Sequence, residues 1–128
     1  MTTVPEVLME IGRVKPNQYT EDTLARWLSE LDGRVWEDLL SNYLPDEQMP
    51  SLPYSAGDAL TKLLIPFPHD DVYIKWLTAQ IDYHNADMDR YNNAMMMFQD
   101  AYQGFLDSYT RSHRGKAVYI SGIRGLEA

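Results

Sequence analysis

Large apolar side chains recur every three or four residues between positions 88 and 109, and this period constrains the fold more than any other feature of the chain. The members of this stripe are Met88, Tyr91, Met95, Phe98, Tyr102, Phe105 and Tyr109. Residues three and four apart lie on the same face of an α-helix, so the spacing predicts one long amphipathic helix. At about 1.5 Å per residue, its stripe is roughly 32 Å long. We expect the stripe to form the core of a helical protein; the alternative is that part of it forms a seam with a neighbouring subunit.

Two further helices are predicted near the N-terminus, a short first one and a longer second one. Thr3, followed by Pro5, has the residue types that cap and begin a helix, and we expect this first helix to run to about Arg13. Thr20 is suited to cap a second helix over about residues 21–43, because acidic residues fill its first turn and leucines recur at helical spacing. Both helices carry an apolar face that a helical bundle would bury.

A proline-rich connection separates the second helix from the third. Five prolines lie between residues 44 and 68, and this density excludes a helix of ordinary length. The apolar middle of the connection, residues 59–65, can pack as a short helical turn or as an extended piece, and the sequence leaves both open. Asp70 is placed to cap the third helix. At residues 84–87 this helix either ends in a turn or continues, kinked, into the fourth.

These patterns predict an all-α protein: a small bundle of about four helices over residues 1–114, followed by an extended C-terminal tail over residues 115–128. A chain of 128 residues suits one domain, and its three tryptophans and nine tyrosines supply large side chains for a core.

The N-terminus lacks the basic and apolar regions of a secretory signal, and the longest apolar run, Ala94–Phe98, is far too short to cross a bilayer. We therefore expect neither export nor a membrane span.

Charge is unevenly distributed along the chain. The net charge is −8, yet residues 111–128 hold four cations and one glutamate, so this segment carries +3 and the remainder carries −11. An acidic body disfavours general nucleic-acid binding, which depends on lysine and arginine side chains that neutralise phosphates. Partner proteins are the better expectation for such a chain.

The basic C-terminal tail mixes β-favouring residues with positive charge and glycines. We expect it to bind a partner as an added strand, with backbone hydrogen bonds for affinity and apolar side chains for specificity. The residues that we expect to contact the partner are Arg111, Arg114, Lys116, Tyr119, Ile120, Ile123 and Arg124. The alternative is a frayed terminus without a function.

Signatures of catalysis and of metal binding are missing from the sequence. The three histidines, His69, His84 and His113, are far apart and form no pair at metal-ligand spacing. The chain has no cysteine, its serines lack the glycine setting of an exposed nucleophile, and no phosphate loop is present. We expect a protein that is not an enzyme and that uses no metal and no cofactor.

Several segments, in their order and spacing, resemble a known family. They are Lys15–Tyr19, Trp27–Arg34, Leu64–Pro66, Asp70–Tyr73, Ile81–Tyr83, Arg90–Asn93 with Phe98, and Tyr109–Arg114. Over roughly residues 15–115 the chain is similar to the small head-to-tail connector proteins, or head-completion adaptors, of long-tailed bacteriophages and prophages. Residues 118–128 lie outside the resemblance.

The resemblance implies a helical-bundle subunit that assembles with copies of itself as a ring beneath the twelve-fold portal. Its partners would be the portal protein and downstream tail or stopper proteins of the virion, assembled in the host cytoplasm. DNA would pass through the ring without sequence-specific binding, and an acidic body fits that role because it repels DNA. The runner-up is a monomeric helical adaptor or regulatory protein unrelated to virions.

Overall fold

The computed structural model describes residues 3–43 and 51–113, which fold into four main helices. These are α1 (Val4–Val14), α2 (Glu21–Val35), α3 (Asp71–His84) and α4 (Met88–Ser112). No β-strand occurs in these two ranges, so the predicted all-α class is confirmed. Across the same ranges, no helix combines the length and the apolar content that crossing a bilayer requires.

Capping residues place the first two helices where the sequence predicts them. The backbone N–H of Thr3 donates to the Glu6 carboxylate at 3.1 Å, which is half of a capping box at the start of α1. The Thr20 hydroxyl accepts a hydrogen bond from the backbone N–H of Thr23 at 3.2 Å and caps α2. A π-helical segment, Trp36–Leu40, and a final turn, Ser41–Tyr43, continue α2, so helical backbone covers the predicted 21–43.

The connection between α2 and α3 is irregular where the structure describes it. Residues 51–68 form bends and turns, and the apolar middle at 59–65 takes neither a helix nor a strand. Tyr54, Leu63 and Ile65 from this segment are nevertheless buried. The connection is therefore part of the core and not an outlying loop.

Helices α3 and α4 form an antiparallel hairpin, which decides between the two alternatives at residues 84–87. Helix α3 ends at His84, and the Asp87 carboxylate caps α4 by accepting a hydrogen bond from the Arg90 N–H at 3.2 Å. Between them, Ala86 has a φ of 60°, a left-handed conformation that L-residues other than glycine seldom adopt. The two helices are thus separated by a tight turn and pack against each other.

The core is built from all four helices together with the connection. Its fully buried large side chains include Ile11 of α1, Leu28 and Leu31 of α2, Ile65 of the connection, Tyr73 and Leu77 of α3, and Phe98 and Phe105 of α4. Within the predicted stripe, Phe98, Tyr102 and Phe105 are buried, Tyr91, Met95 and Tyr109 are partly buried, and Met88 is exposed. The stripe therefore lies in the core over its central turns, and its first residue, at the hairpin turn, lies outside it.

Candidate functional site

A buried carboxylate on α2 fastens the connection to the helical bundle. Asp32 has no solvent-exposed surface and accepts three hydrogen bonds from residues outside its own helix. The hydroxyls of Tyr54 and Tyr73 each donate to it at 2.6 Å, and the backbone N–H of Leu64 donates at 3.1 Å. Hydrogen bonds to an ionised acceptor are about twice as strong as neutral ones, so this carboxylate is a strong attachment point.

Three further hydrogen bonds extend this anchor, which we call the Asp32 cluster. The Tyr73 hydroxyl accepts the backbone N–H of Ile65 at 2.7 Å while it donates to Asp32. The buried Ser29 hydroxyl donates to the carbonyl of Ala25 and accepts the backbone N–H of Tyr54, both at 2.8 Å. Backbone amides that would otherwise be buried without partners are satisfied in this way, as burial of polar groups requires.

Burial dominates the electrostatics of the Asp32 cluster. Desolvation raises the pKa of Asp32 above its usual value, although the hydrogen bonds from Tyr54, Tyr73 and Leu64 oppose the rise. The pKa of Tyr73 is also raised, first by its own burial and then by the neighbouring carboxylate, so its hydroxyl stays a protonated donor. Both side chains are sealed from solvent, so the geometry suits the fastening of a loop and gives a substrate no access.

The fastened connection presents two apolar side chains to solvent. Leu60 is 94% exposed and Phe67 is 80% exposed, although each lies within a few residues of the buried Leu63 and Ile65. Both lie within four residues of a backbone N–H that the Asp32 cluster binds, at Leu64 or at Ile65. We call Leu60 and Phe67 the exposed loop pair.

A second polar cluster joins the turn before α2 to the α3–α4 hairpin. Lys15 forms a salt bridge of 2.9 Å with Asp82, whose side chain is only 6% exposed. The side-chain oxygen of Asn85 accepts hydrogen bonds of 2.7 Å from both Gln18 and the Tyr19 hydroxyl. Residues 15–19 therefore contact the end of α3 and the hairpin turn directly, and these contacts position α1 on the hairpin.

The three histidines lie apart, each against a different aromatic ring. Their ring contacts are His69 with Phe105, His84 with Trp27 and His113 with Tyr109. Over residues 3–43 and 51–113 there is no group of three or more histidine, aspartate or glutamate side chains arranged to hold a metal ion.

Of the residues predicted to form the partner-binding C-terminal tail, the structure describes only Arg111. Its side chain is exposed in the last turn of α4. The other six, Arg114, Lys116, Tyr119, Ile120, Ile123 and Arg124, lie outside the described residues.

The Asp32 cluster was not identified as a site from the sequence. One local signal does point to it: Asp32 lies four residues after Leu28 and three before Val35, on the apolar face of α2, where a carboxylate needs partners. No comparable sequence signal points to the exposed loop pair, because the apolar residues of an irregular segment do not recur at helical or strand spacing.

Comparison of the chain with protein-family models, with curated proteins and with solved structures found no match.

Proposed function

We propose that this protein is a structural subunit of the head-to-tail connector of a tailed bacteriophage or prophage. In this role it forms a ring with copies of itself under the portal, extends the DNA channel and provides the attachment site for the phage tail. It acts by packing against proteins and not by catalysis.

The observation that carries the proposal is the exposed loop pair on a fastened connection. A subunit that assembles on a partner must present apolar side chains in a defined geometry, since ordering them at the moment of binding costs free energy. The Asp32 cluster holds the connection by its backbone at Leu64 and Ile65, and Phe67 follows two residues after Ile65. The 80% exposure of Phe67 is thus a fixed feature of the surface.

The charge distribution supports the same role. Outside residues 111–128 the chain carries −11, which repels the phosphates of DNA that slides past it. A repulsive wall lets DNA move through a ring without binding, whereas a basic wall would retain it. The segment 111–128, with +3, is suited to an acidic surface on the portal or on a neighbouring subunit.

The decisive experiment is co-expression with a portal protein from the same genome, followed by co-purification and electron microscopy. We expect the two proteins to purify together and rings of this chain to cover one end of the portal. A chain that stays monomeric and separates from the portal would refute the proposal and favour a helical adaptor unrelated to virions. Because ring formation can require the portal as a template, the purified chain alone is not the test.

Surface variants make this test specific to the exposed loop pair. We expect the double substitution Leu60→Ser and Phe67→Ser to weaken portal binding by about tenfold or more, because exposed apolar anchors dominate interface energies. Met9→Ser on α1 is the matched control, since Met9 is 79% exposed and lies on a different element. Equal binding by the two variants would remove the exposed loop pair from the interface.

A further inference from the structure

A shallow groove between α3 and α4 combines apolar and basic side chains. Ile74 of α3 and Ala94 and Met97 of α4 supply its apolar lining, and the groove encloses about 390 Å³. Met97 is 51% exposed although its side chain is large and apolar. A preformed concave surface of this kind suits a protruding apolar side chain of a partner.

The charges that solvent reaches in the groove are positive. Lys75 and Arg90 line it, and their side chains are 29% and 72% exposed. Asp82 also lines the groove, but its side chain is only 6% exposed and is already paired with Lys15. A molecule that enters the groove therefore meets two cations beside an apolar surface.

The two cations remain available to a further carboxylate. Lys75 pairs with Asp71 at 2.6 Å and Arg90 pairs with Asp87 at 3.4 Å, and both pairs lie at the protein surface. Exposed ion pairs contribute little free energy, because water screens them. In a protein of net charge −8, this basic and apolar groove is suited to a partner surface that is acidic and apolar.

The connection presents such a surface at Leu60. The Leu60 side chain is 94% exposed, so it does not lie in the groove of its own chain. The Asp58 carboxylate accepts the backbone N–H groups of Leu60 and Thr61 at 3.1 and 3.0 Å, which holds it beside the leucine. The hydrogen bond from Thr61 lowers the pKa of Asp58, so this carboxylate is ionised at neutral pH. An apolar side chain and a negative charge are thus held together.

The connection is fastened on the side of α3 that faces away from the groove. Tyr73, which holds the backbone of Ile65, precedes Lys75 of the groove by two residues, and two residues of a helix rotate by about 200°. A contact between Leu60 of one copy and the groove of another therefore joins two different surfaces. Contacts of this heterologous kind close into rings or continue as open chains.

We propose that Leu60 and Asp58 of one copy of this chain bind in the α3–α4 groove of the next copy. Leu60 packs against Met97, and the Asp58 carboxylate lies beside Lys75 and Arg90. Of the exposed loop pair, this contact uses only Leu60, so the other member stays available to the portal. The inference rests on the proposed function in that it names the contact between neighbouring copies of the ring.

Disulfide trapping between two variants of the full-length chain tests the contact. The chain has no cysteine, so only introduced cysteines react. One variant carries Ala59→Cys beside Leu60, and the other carries Asn93→Cys in the lining of the groove. Asn92→Cys is the matched control, because both asparagines are exposed and project about 100° apart from α4. Each rate is divided by the reactivity of the same thiols toward a small disulfide reagent.

We expect Ala59→Cys to trap Asn93→Cys about tenfold faster than it traps Asn92→Cys, the ratio that a modest local contact gives. Adding Leu60→Ser to the Ala59→Cys chain should bring this ratio to about one, because it removes the apolar side chain of the contact. Equal rates in the presence of Leu60 would overturn the proposal. A predominance of disulfides between two Asn93→Cys copies would also overturn it, because the groove would then belong to a two-fold contact.

Two charge variants distinguish a local contact from overall repulsion between acidic copies. Asp58→Asn keeps a side-chain acceptor for the two N–H groups but makes the chain less acidic, so weaker repulsion alone would speed trapping. The proposed contact predicts instead that trapping slows about threefold, the effect of one exposed ion pair. Lys62→Gln, at an exposed position of the same segment, makes the chain more acidic and should not slow trapping. The opposite pattern in the two variants would refute the contact.

The outcomes for this contact and for the connector role are separable. Disulfides accumulate even where a contact is rarely populated, so trapping needs no portal as a template. Preferential trapping in a chain that does not bind the portal would remove the connector role and leave the contact between copies. Portal binding by a chain with equal trapping rates would leave the connector role and remove this contact.

Discussion

The hydroxyl of Tyr73 donates a hydrogen bond of 2.6 Å to Asp32, forty-one residues earlier in the sequence, and at the same time accepts the backbone N–H of Ile65 at 2.7 Å. One side chain of α3 thus joins the carboxylate of α2 to the connection between them. Because both of its partners are buried, neither can form a replacement hydrogen bond with water if the hydroxyl is lost. The position of the connection depends on this relationship.

Tyr73→Phe should therefore destabilise the protein by roughly 2 to 4 kcal/mol, because it leaves a buried amide without an acceptor and removes one donor from Asp32. Urea denaturation followed by tryptophan fluorescence measures the change. Tyr83→Phe is the control, since the Tyr83 side chain is half exposed, and we expect it to leave the free energy of unfolding nearly unchanged. Equal, small effects of the two substitutions would show that the Tyr73 hydroxyl is not an anchor.

The raised pKa of Asp32 predicts how its contribution to stability depends on pH. A carboxyl group whose folded-state pKa lies above its unfolded value of 3.8 binds its proton more tightly in the native state. The part of the folding free energy that is linked to this proton is then fully present below pH 3.8 and is lost as the pH rises through the folded-state pKa.

Asp32→Asn isolates this contribution, because the other carboxylates titrate in both proteins and cancel in the comparison. We expect the free energy of unfolding of the parent, minus that of Asp32→Asn, to increase as the pH is lowered from neutral toward 3.8. Urea titrations at a series of pH values provide the measurement. A difference that decreases on acidification would mean that the hydrogen bonds to Asp32 outweigh its desolvation.

The turn between α3 and α4 predicts a stabilising substitution. Ala86 is exposed and has a φ of 60°, which costs an L-residue roughly 1 to 2 kcal/mol relative to glycine. Ala86→Gly should therefore raise the free energy of unfolding by about 1 kcal/mol, even though glycine gains entropy in the unfolded chain. Ala101→Gly in α4 provides the contrast, with an expected loss of about 1 kcal/mol. A loss in both variants would contradict the strained geometry at Ala86.

Local patterns predicted the helices well because their signals lie within a few residues. Thr20 caps α2 through Thr23, and Asp87 caps α4 through Arg90, so each helix start depends on neighbours that the sequence displays directly. The period of the stripe likewise predicted α4 to within a turn at each end. Only Met88 departs from the pattern, because the hairpin turn leaves the first turn of α4 outside the core.

The candidate site could not be predicted in the same way, because its partners are distant along the chain. Asp32 receives its hydrogen bonds from residues 22, 32 and 41 positions away. Two of these partners lie in the connection, where apolar residues do not recur at a regular spacing. The path of the connection is set by hydrogen bonds to the buried carboxylate and not by the local propensity of its residues. A polar residue on the apolar face of α2 signals that partners exist but does not identify them.

The attachment of α1 gives a final prediction, which compares two ion pairs that differ in burial. Lys15 pairs with Asp82, whose side chain is 6% exposed, whereas Arg13 pairs with Glu10 on the surface. Lys15→Met keeps the packing of the aliphatic stem but leaves a buried carboxylate unpaired, so we expect a loss of about 3 kcal/mol in the free energy of unfolding. Arg13→Met should change it little, because exposed pairs are screened by water. Urea denaturation at low and at high salt distinguishes the two variants. The effect of Lys15→Met should persist at high salt. Its disappearance there would mean that water reaches Asp82.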